Sequence, residues 1–142
     1  MNHDQYPDIY LKDILRSTRT IALVGASANP ERPSYRVMGF LLRKGYIVHP
    51  VNPGIAGREL QGRTVYGSLA DIPEPIDMID VFRAAYVLPA LVDEILTLDP
   101  LPKVIWGQLS VRDDAAAATA EARGIKVVMD RCPAIEYPRL VG

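Results

Sequence analysis

Gly25, Ser27 and Ser34 have the residue types and the spacing to hold a phosphate. The apolar run Ile21-Ala-Leu-Val24 ends at Gly25, and the polar, proline-stiffened loop Ala26-Ser-Ala-Asn-Pro-Glu-Arg-Pro33 follows. A helical pattern then opens at Ser34. A strand, a turn and a helix start in that order aim backbone N–H groups and the positive end of a helix dipole at one point, where an anion is stabilised. The N–H groups of Ala26 and Ser27 and the helix start at Ser34 are the expected contacts. Arg32, Arg36 and Arg83 are the candidate cations, because a guanidinium meets phosphate oxygens in pairs. Arg83 ends another apolar run, where a charge needs a partner or an opening to water. A ligand phosphate is one candidate partner; Asp80 or a loop carbonyl is another.

The pattern departs from the usual dinucleotide site. That site needs two further glycines after the first and an acidic residue about 20 positions on to hold a ribose. Here no glycine follows Gly25 at the required spacing, and the second apolar run ends in Val51-Asn52-Pro53 with no carboxylate. A nicotinamide cofactor is disfavoured, while Asn52 and Pro53 leave room for a phosphate where a ribose would sit. No G-K-[ST] occurs, which excludes a P-loop, and no G-x-S-x-G gives Ser27 a hydrolase setting. His49 lies in an apolar run and reads as a core histidine, and His3 lies near the terminus. Asp77 and Asp80 fall on opposite faces of their strand. No catalytic constellation and no metal-ligand spacing emerges.

The elements that must position these residues are short. Ile21–Val24, Ile47–Val51, Met78–Phe82, Val104–Trp106 and Ile125–Met129 are β-branched-rich and only weakly alternating, as strands covered on both faces are. Helical spacing appears over Asp8–Ser17, Tyr35–Lys44 and Val87–Leu98, and Ser110-Val-Arg-Asp113 resembles a capping box opening an alanine-rich helix to Arg123. Gly45 and Gly124 suit left-handed helix ends. The stretch from Asn52 to Gly67 is irregular, with a short strand expected near Thr64–Tyr66 and a helical turn after Ser68. Alternating strands and helices predict an α/β, Rossmann-like, doubly wound fold: a mainly parallel five-stranded sheet between two helical layers, formed by residues 1–142 as one domain, with about 1–19 as an N-terminal helix packed on it. The loops after the strands then converge on one crevice at the C-terminal sheet edge.

The 142 residues are 49% apolar with a net charge of −1, so neither disorder nor broad attraction to nucleic acid or anionic membrane is expected. The one cysteine forms no internal disulfide, no apolar run approaches a membrane span, and a cytoplasmic protein is the expectation.

Six segments in unbroken order, Val24-Gly-Ala-Ser27, Pro33-Ser-Tyr-Arg36, Val51-Asn-Pro53, Tyr66-Gly-Ser-Leu-Ala-Asp-Ile-Pro73, Ile79-Asp-Val-Phe-Arg83 and Val128-Met-Asp-Arg-Cys132, closely resemble the small stand-alone CoA-binding proteins. The same domain is similar to the N-terminal part of the succinyl-CoA synthetase α subunit. The resemblance implies a Rossmann-like domain that binds coenzyme A or an acyl-CoA without a known reaction. It places Phe82 and Arg83 in a motif segment, Gln108 near the CoA arm, and Cys132 beside a thiol cofactor, where a mixed disulfide is one expectation and an inert buried thiol the other. Ala84-Ala85 follow Arg83 where the family usually continues with a second basic residue, and Ile55 stands where the synthetase loop has a lysine. Two alternatives remain open at this point: an atypical NAD(P)-binding oxidoreductase or sensor, and a CoA-binding subunit completed by a synthetase-like partner. A homo-oligomer is compatible with the sequence but has no signal for it.

Overall fold

A computed structural model describes the whole chain, Met1–Gly142. Its helices and strands run α1 (Asp8–Ser17), β1 (Thr20–Val24), α2 (Pro33–Arg43), β2 (Ile47–Val51), β3 (Glu59–Leu60), β4 (Arg63–Thr64), β5 (Met78–Val81), α3 (Leu88–Ile95), β6 (Val104–Gly107), α4 (Asp114–Glu121), β7 (Lys126–Val128) and α5 (Pro133–Leu140). The five apolar runs are the five strands of one parallel sheet, ordered β2-β1-β5-β6-β7, and β3 and β4 form a small antiparallel hairpin. This is the doubly wound α/β architecture expected.

Period-two alternation divides the core. Ala22, Val24, Ile79, Val81, Ile105 and Val127 face α3 and α4, where Ala116, Ala117 and Ala120 let α4 lie close to the sheet. Ile21, Leu23, Val48, Met78, Val104, Trp106 and Val128 face the layer made by α1, α2 and α5. Trp106 is wholly buried there and donates its indole N–H to the Arg131 carbonyl at 2.9 Å. From β1 the chain crosses to β2 on one side and to β5 on the other, so the strand order reverses between β1 and β5. In such a sheet the loops leaving those two strands part and open a crevice.

Local chemistry fixes the helix ends. Pro33 at the first position of α2 carries the helical φ in advance, with Arg32 as the N-cap. Ser34, expected as the first helical residue, therefore sits one place inside the first turn. Gly45 takes φ +93° and the Tyr46 N–H donates to the Leu41 carbonyl, which closes the helix. The capping box expected at Ser110 lies elsewhere: Ser110 has φ +68°, and Asp113 caps α4 by accepting from the Ala116 N–H at 3.0 Å. α5 has no counterpart in the sequence reading, because Pro133 and Pro138 interrupt its short apolar pattern.

The open edge of β7 is covered by α1 and the segment before it. The Tyr10 hydroxyl donates to the Val127 carbonyl at 2.9 Å and lies 3.1 Å from the Val127 N–H, which it accepts. The Tyr6 hydroxyl accepts from the Met129 N–H at 2.7 Å. Two tyrosines thus occupy groups that would otherwise invite another strand. At the other edge His49 Nε2 meets Glu74 at 2.8 Å and its Nδ1 lies 3.3 Å from Arg63, so this histidine is buried and engaged, as a core histidine is. No helix is long and apolar enough to cross a membrane.

Candidate functional site

A cavity of about 950 Å³ opens at the C-terminal edge of the sheet, at the β1/β5 reversal. That volume lies at the upper end of the ~300–1,000 Å³ range of small-molecule sites, so it suits a large ligand. The loops after β1, β2, β5 and β6 all border it. Of the sequence candidates, Gly25, Ala26, Ser27, Arg32, Ser34, Asn52, Pro53, Phe82, Arg83 and Gln108 line it. Arg36 does not: its guanidinium folds back to the Glu31 carbonyl at 2.8 Å. Cys132 also lies outside the lining, buried as the N-cap of α5.

The β1 turn is built around Gly25. Its φ is +91°, a conformation that L side chains rarely adopt. A Cβ there would stand 2.5 Å from the Phe82 carbonyl oxygen and 3.2 Å from Arg83 Cδ. The glycine is therefore required by the close approach of the two loops to each other, before any ligand arrives. The same numbers show that the Arg83 side chain lies against the turn.

The free donors differ from those expected. The Gly25 and Ala26 N–H groups both donate to the Val51 carbonyl, at 3.1 and 3.2 Å. Ala26 is thus spent on the scaffold. The Ser27 and Ser34 N–H groups make no bond within the protein, and both residues line the cavity. Ser27 Oγ is held by the Asn29 N–H at 3.1 Å. Asn52 is likewise engaged: its Nδ2 donates to the Ala26 carbonyl at 2.7 Å and its Oδ1 accepts from the Gly54 N–H at 2.8 Å. It pins the end of β2 to the β1 loop, and it offers no carboxylate to a ribose.

Charge is arranged unevenly in the crevice. Arg32 and Arg83, beside the β1 loop, form no ion pair, and Glu94 of α3 is the one carboxylate of the lining. Asp80 is not Arg83's partner. It lies on the other side of the strand end, wholly buried in register with Leu23 and Trp106, and neither carboxylate oxygen has a hydrogen-bond partner. Burial pushes its carboxyl well above the usual carboxylate range. Asp77, by contrast, accepts from the Arg19 and Thr20 N–H groups at 2.9 and 3.2 Å, and these bonds together with Lys103 outweigh its burial and hold it below the usual range.

Gly67 lines the cavity and Gly107 shapes it, although neither was among the candidate contacts. A Cβ on Gly107 would meet the Val111 carbonyl at 2.4 Å, so only glycine lets the β6 loop fold back to bring Gln108 and Val111 to the cavity. A glycine at a strand end was the available signal. No group of three or more His, Cys, Asp or Glu is placed to hold a metal ion.

Comparison with known proteins agrees with this geometry. YneT of Bacillus subtilis, named as an uncharacterized protein, is 36% identical over 122 residues, covering 86% of this chain and 87% of its own. The structure of a hypothetical protein from Pyrococcus horikoshii OT3 superposes with a TM-score of 0.89 at 37% identity, covering 98% of this chain and 95% of that one. The α subunit of the ADP-forming acetate–CoA ligase I of Pyrococcus furiosus is 33% identical over 86 residues, which are 58% of this chain but 19% of that subunit. The family described as CoA binding domain matches residues 19–138, from the residue before β1 into α5, and with the doubly wound sheet and the strand–glycine–helix turn after β1 already in place, the chain belongs to that family.

Proposed function

We propose that this chain binds coenzyme A or an acyl-CoA in the crevice at the β1/β5 reversal, and that it acts as a binding, carrier or sensor protein. The observation that carries the reading is the convergence of unused donors. Ser27 and Ser34, whose N–H groups are unused, and two unpaired cations, Arg32 and Arg83, all line one large cavity in a chain of this family. The pyrophosphate sits on those groups and on the N-terminal end of α2. The adenosine extends toward β2, as it does in doubly wound sheets, and the pantetheine arm extends toward β6. The lining has one carboxylate, no histidine and no cysteine, which leaves its serines without a base beside them and supports a binding role.

Calorimetric titration of the ligand-free protein with CoA, dephospho-CoA and NADH tests this. Saturable CoA binding with none for NADH is the expected result. Saturable NADH binding without CoA binding would move an atypical NAD(P) protein to first place.

The similarity to a ligase α subunit favours a second reading, in which the chain docks on a synthetase-like partner. Affinity purification that recovers an ATP-grasp protein in fixed ratio would support it. Tight CoA binding by the isolated chain, with no such partner recovered, would not.

A further inference from the structure

The loop after β6 is a tight turn that borders the crevice along its whole length. The chain reverses over Gln108–Val111, with the Val111 N–H donating to the Gln108 carbonyl at 2.8 Å, and every residue of the turn belongs to the cavity lining. Leu109 has a negative φ and Ser110 takes +68°, which makes this a type II turn, whose third residue is ordinarily glycine. A left-handed serine is strained, and such strain persists only where the surroundings impose it. Here it is imposed from the loop after β7. Asp130, itself at φ +57°, accepts the Ser110 N–H on Oδ1 at 2.6 Å. The Asp130 N–H donates to the Val111 carbonyl and the Arg131 N–H to the Gly107 carbonyl, both at 3.2 Å, so the β7 loop is seated on both sides of the turn.

The clasp also sets which way the middle peptide of the turn faces. That peptide is trans and planar. With the Ser110 N–H on Asp130, the Leu109 carbonyl points away from the β7 loop, and no backbone N–H of the protein reaches it. The adjacent Gln108 is 7% exposed, and its Oε1 is buried without a partner. A buried acceptor left unpaired marks a position where a donor from outside the protein belongs. In a type I turn the middle peptide is flipped, and the Leu109 carbonyl would turn toward the Asp130 carboxylate.

We propose that Asp130 is a positioning residue of the ligand site. By holding Ser110 left-handed, it keeps the β6 turn in the state that frees the Leu109 carbonyl, beside Gln108 Oε1, for N–H donors of a ligand. Asp130 lies outside the cavity lining and acts only through the turn. The inference rests on the coenzyme A reading, in which the amide N–H groups of the arm are those donors.

Titration calorimetry with CoA on the full chain tests it through two substitutions and their combination. Asp130→Gly removes the carboxylate, keeps the left-handed backbone at that position without strain, and leaves both backbone bonds of the clasp in place. Circular dichroism is expected to show an intact fold. Ser110 then reverts to negative φ, and only the turns still left-handed bind, so CoA affinity falls about 5- to 30-fold. With Ser110→Gly already present, the same Asp130→Gly change costs no more than about twofold, because glycine takes either sign of φ. A role in stability alone would not depend in this way on the residue at 110. Asp130→Asn keeps an acceptor oxygen on a residue that tolerates positive φ, and retains more affinity than Asp130→Gly. In the ligand-free protein, the Ser110 amide proton resonates downfield and moves upfield in Asp130→Gly. If Asp130→Gly costs nothing, costs as much beside Ser110→Gly, binds as well as Asp130→Asn, or leaves the Ser110 proton in place, this inference falls and the coenzyme A reading stands. If the unaltered chain binds no CoA, both fall.

Discussion

Replacing Asp80 by Asn is expected to make the protein progressively more stable than the unaltered chain as pH rises. Asp80 is wholly buried in the middle strand, between Leu23 and Trp106 in register, and both oxygens lack partners. Burial raises its carboxyl well above the usual range, so the native state keeps the proton while the unfolded chain loses it near the ordinary value of ~3.9. The native state then binds more protons than the unfolded state, and stability falls as pH rises. The slope is about 1.4 kcal/mol per pH unit from the unfolded pKa upward until the native carboxyl ionises, after which it levels off. Asn keeps the shape of the protonated acid and cannot ionise. At pH 4 the two proteins should differ only by the local cost of the amide, and the difference should then move steadily in the variant's favour. Asp77 contributes the opposite dependence: its lowered carboxyl adds stability above its unfolded pKa, which is lost as pH falls through the folded value. That contribution is common to both proteins and cancels in the difference. Urea unfolding followed by circular dichroism, in half-unit steps from pH 4 to 8, measures the difference under a two-state treatment. Parallel curves for the two proteins would refute the reasoning, because they would mean that Asp80 is ionised in the native state through a partner or an access to water.

Three further substitutions separate scaffold from ligand. Gly25→Ala places a Cβ 2.5 Å from the Phe82 carbonyl at φ +91°, and should cost at least ~1–3 kcal/mol in the ligand-free protein; an unchanged unfolding midpoint would contradict this. Arg83→Ala removes an exposed cation without a protein partner, so the melting temperature should hold while CoA affinity weakens by about 1.5–3 kcal/mol; unchanged affinity by calorimetry would remove Arg83 from the site. Tyr10→Phe deletes both hydrogen bonds to Val127 and should lower stability by about 1–2 kcal/mol, with faster amide exchange confined to β7; uniform exchange across the sheet would show that Tyr10 does not guard that edge.

The positions of all five main strands and the convergence of their loops were legible in the amino-acid sequence. β-Branched runs of four or five residues separated by helical spacing admit few arrangements once both faces must be covered. The turn from β1 into α2 was legible as well, because a glycine after a strand and a helix start soon after it are local features. The tertiary structure decided which groups of that loop are free. Ala26 looked like a donor in sequence, but its N–H is taken by the Val51 carbonyl of the neighbouring strand. Asn52 looked like open space for a ligand, and it is bonded to the Ala26 carbonyl and the Gly54 N–H. Arg36 looked equivalent to Arg32, but the helix start at Pro33 turns it back to Glu31 and out of the crevice. Gly25 looked like part of a phosphate contact, and the Phe82 carbonyl already forbids a side chain there before any ligand is considered. Asp80 looked like a possible partner for Arg83, and the strand's alternation buries it alone. α5, interrupted by prolines, became visible only through what it packs against. In each case the physical reason is the same. Residue type and spacing set which backbone and side-chain groups a segment carries, while hydrogen bonds and contacts between segments distant in the chain determine which of those groups remain available to a ligand.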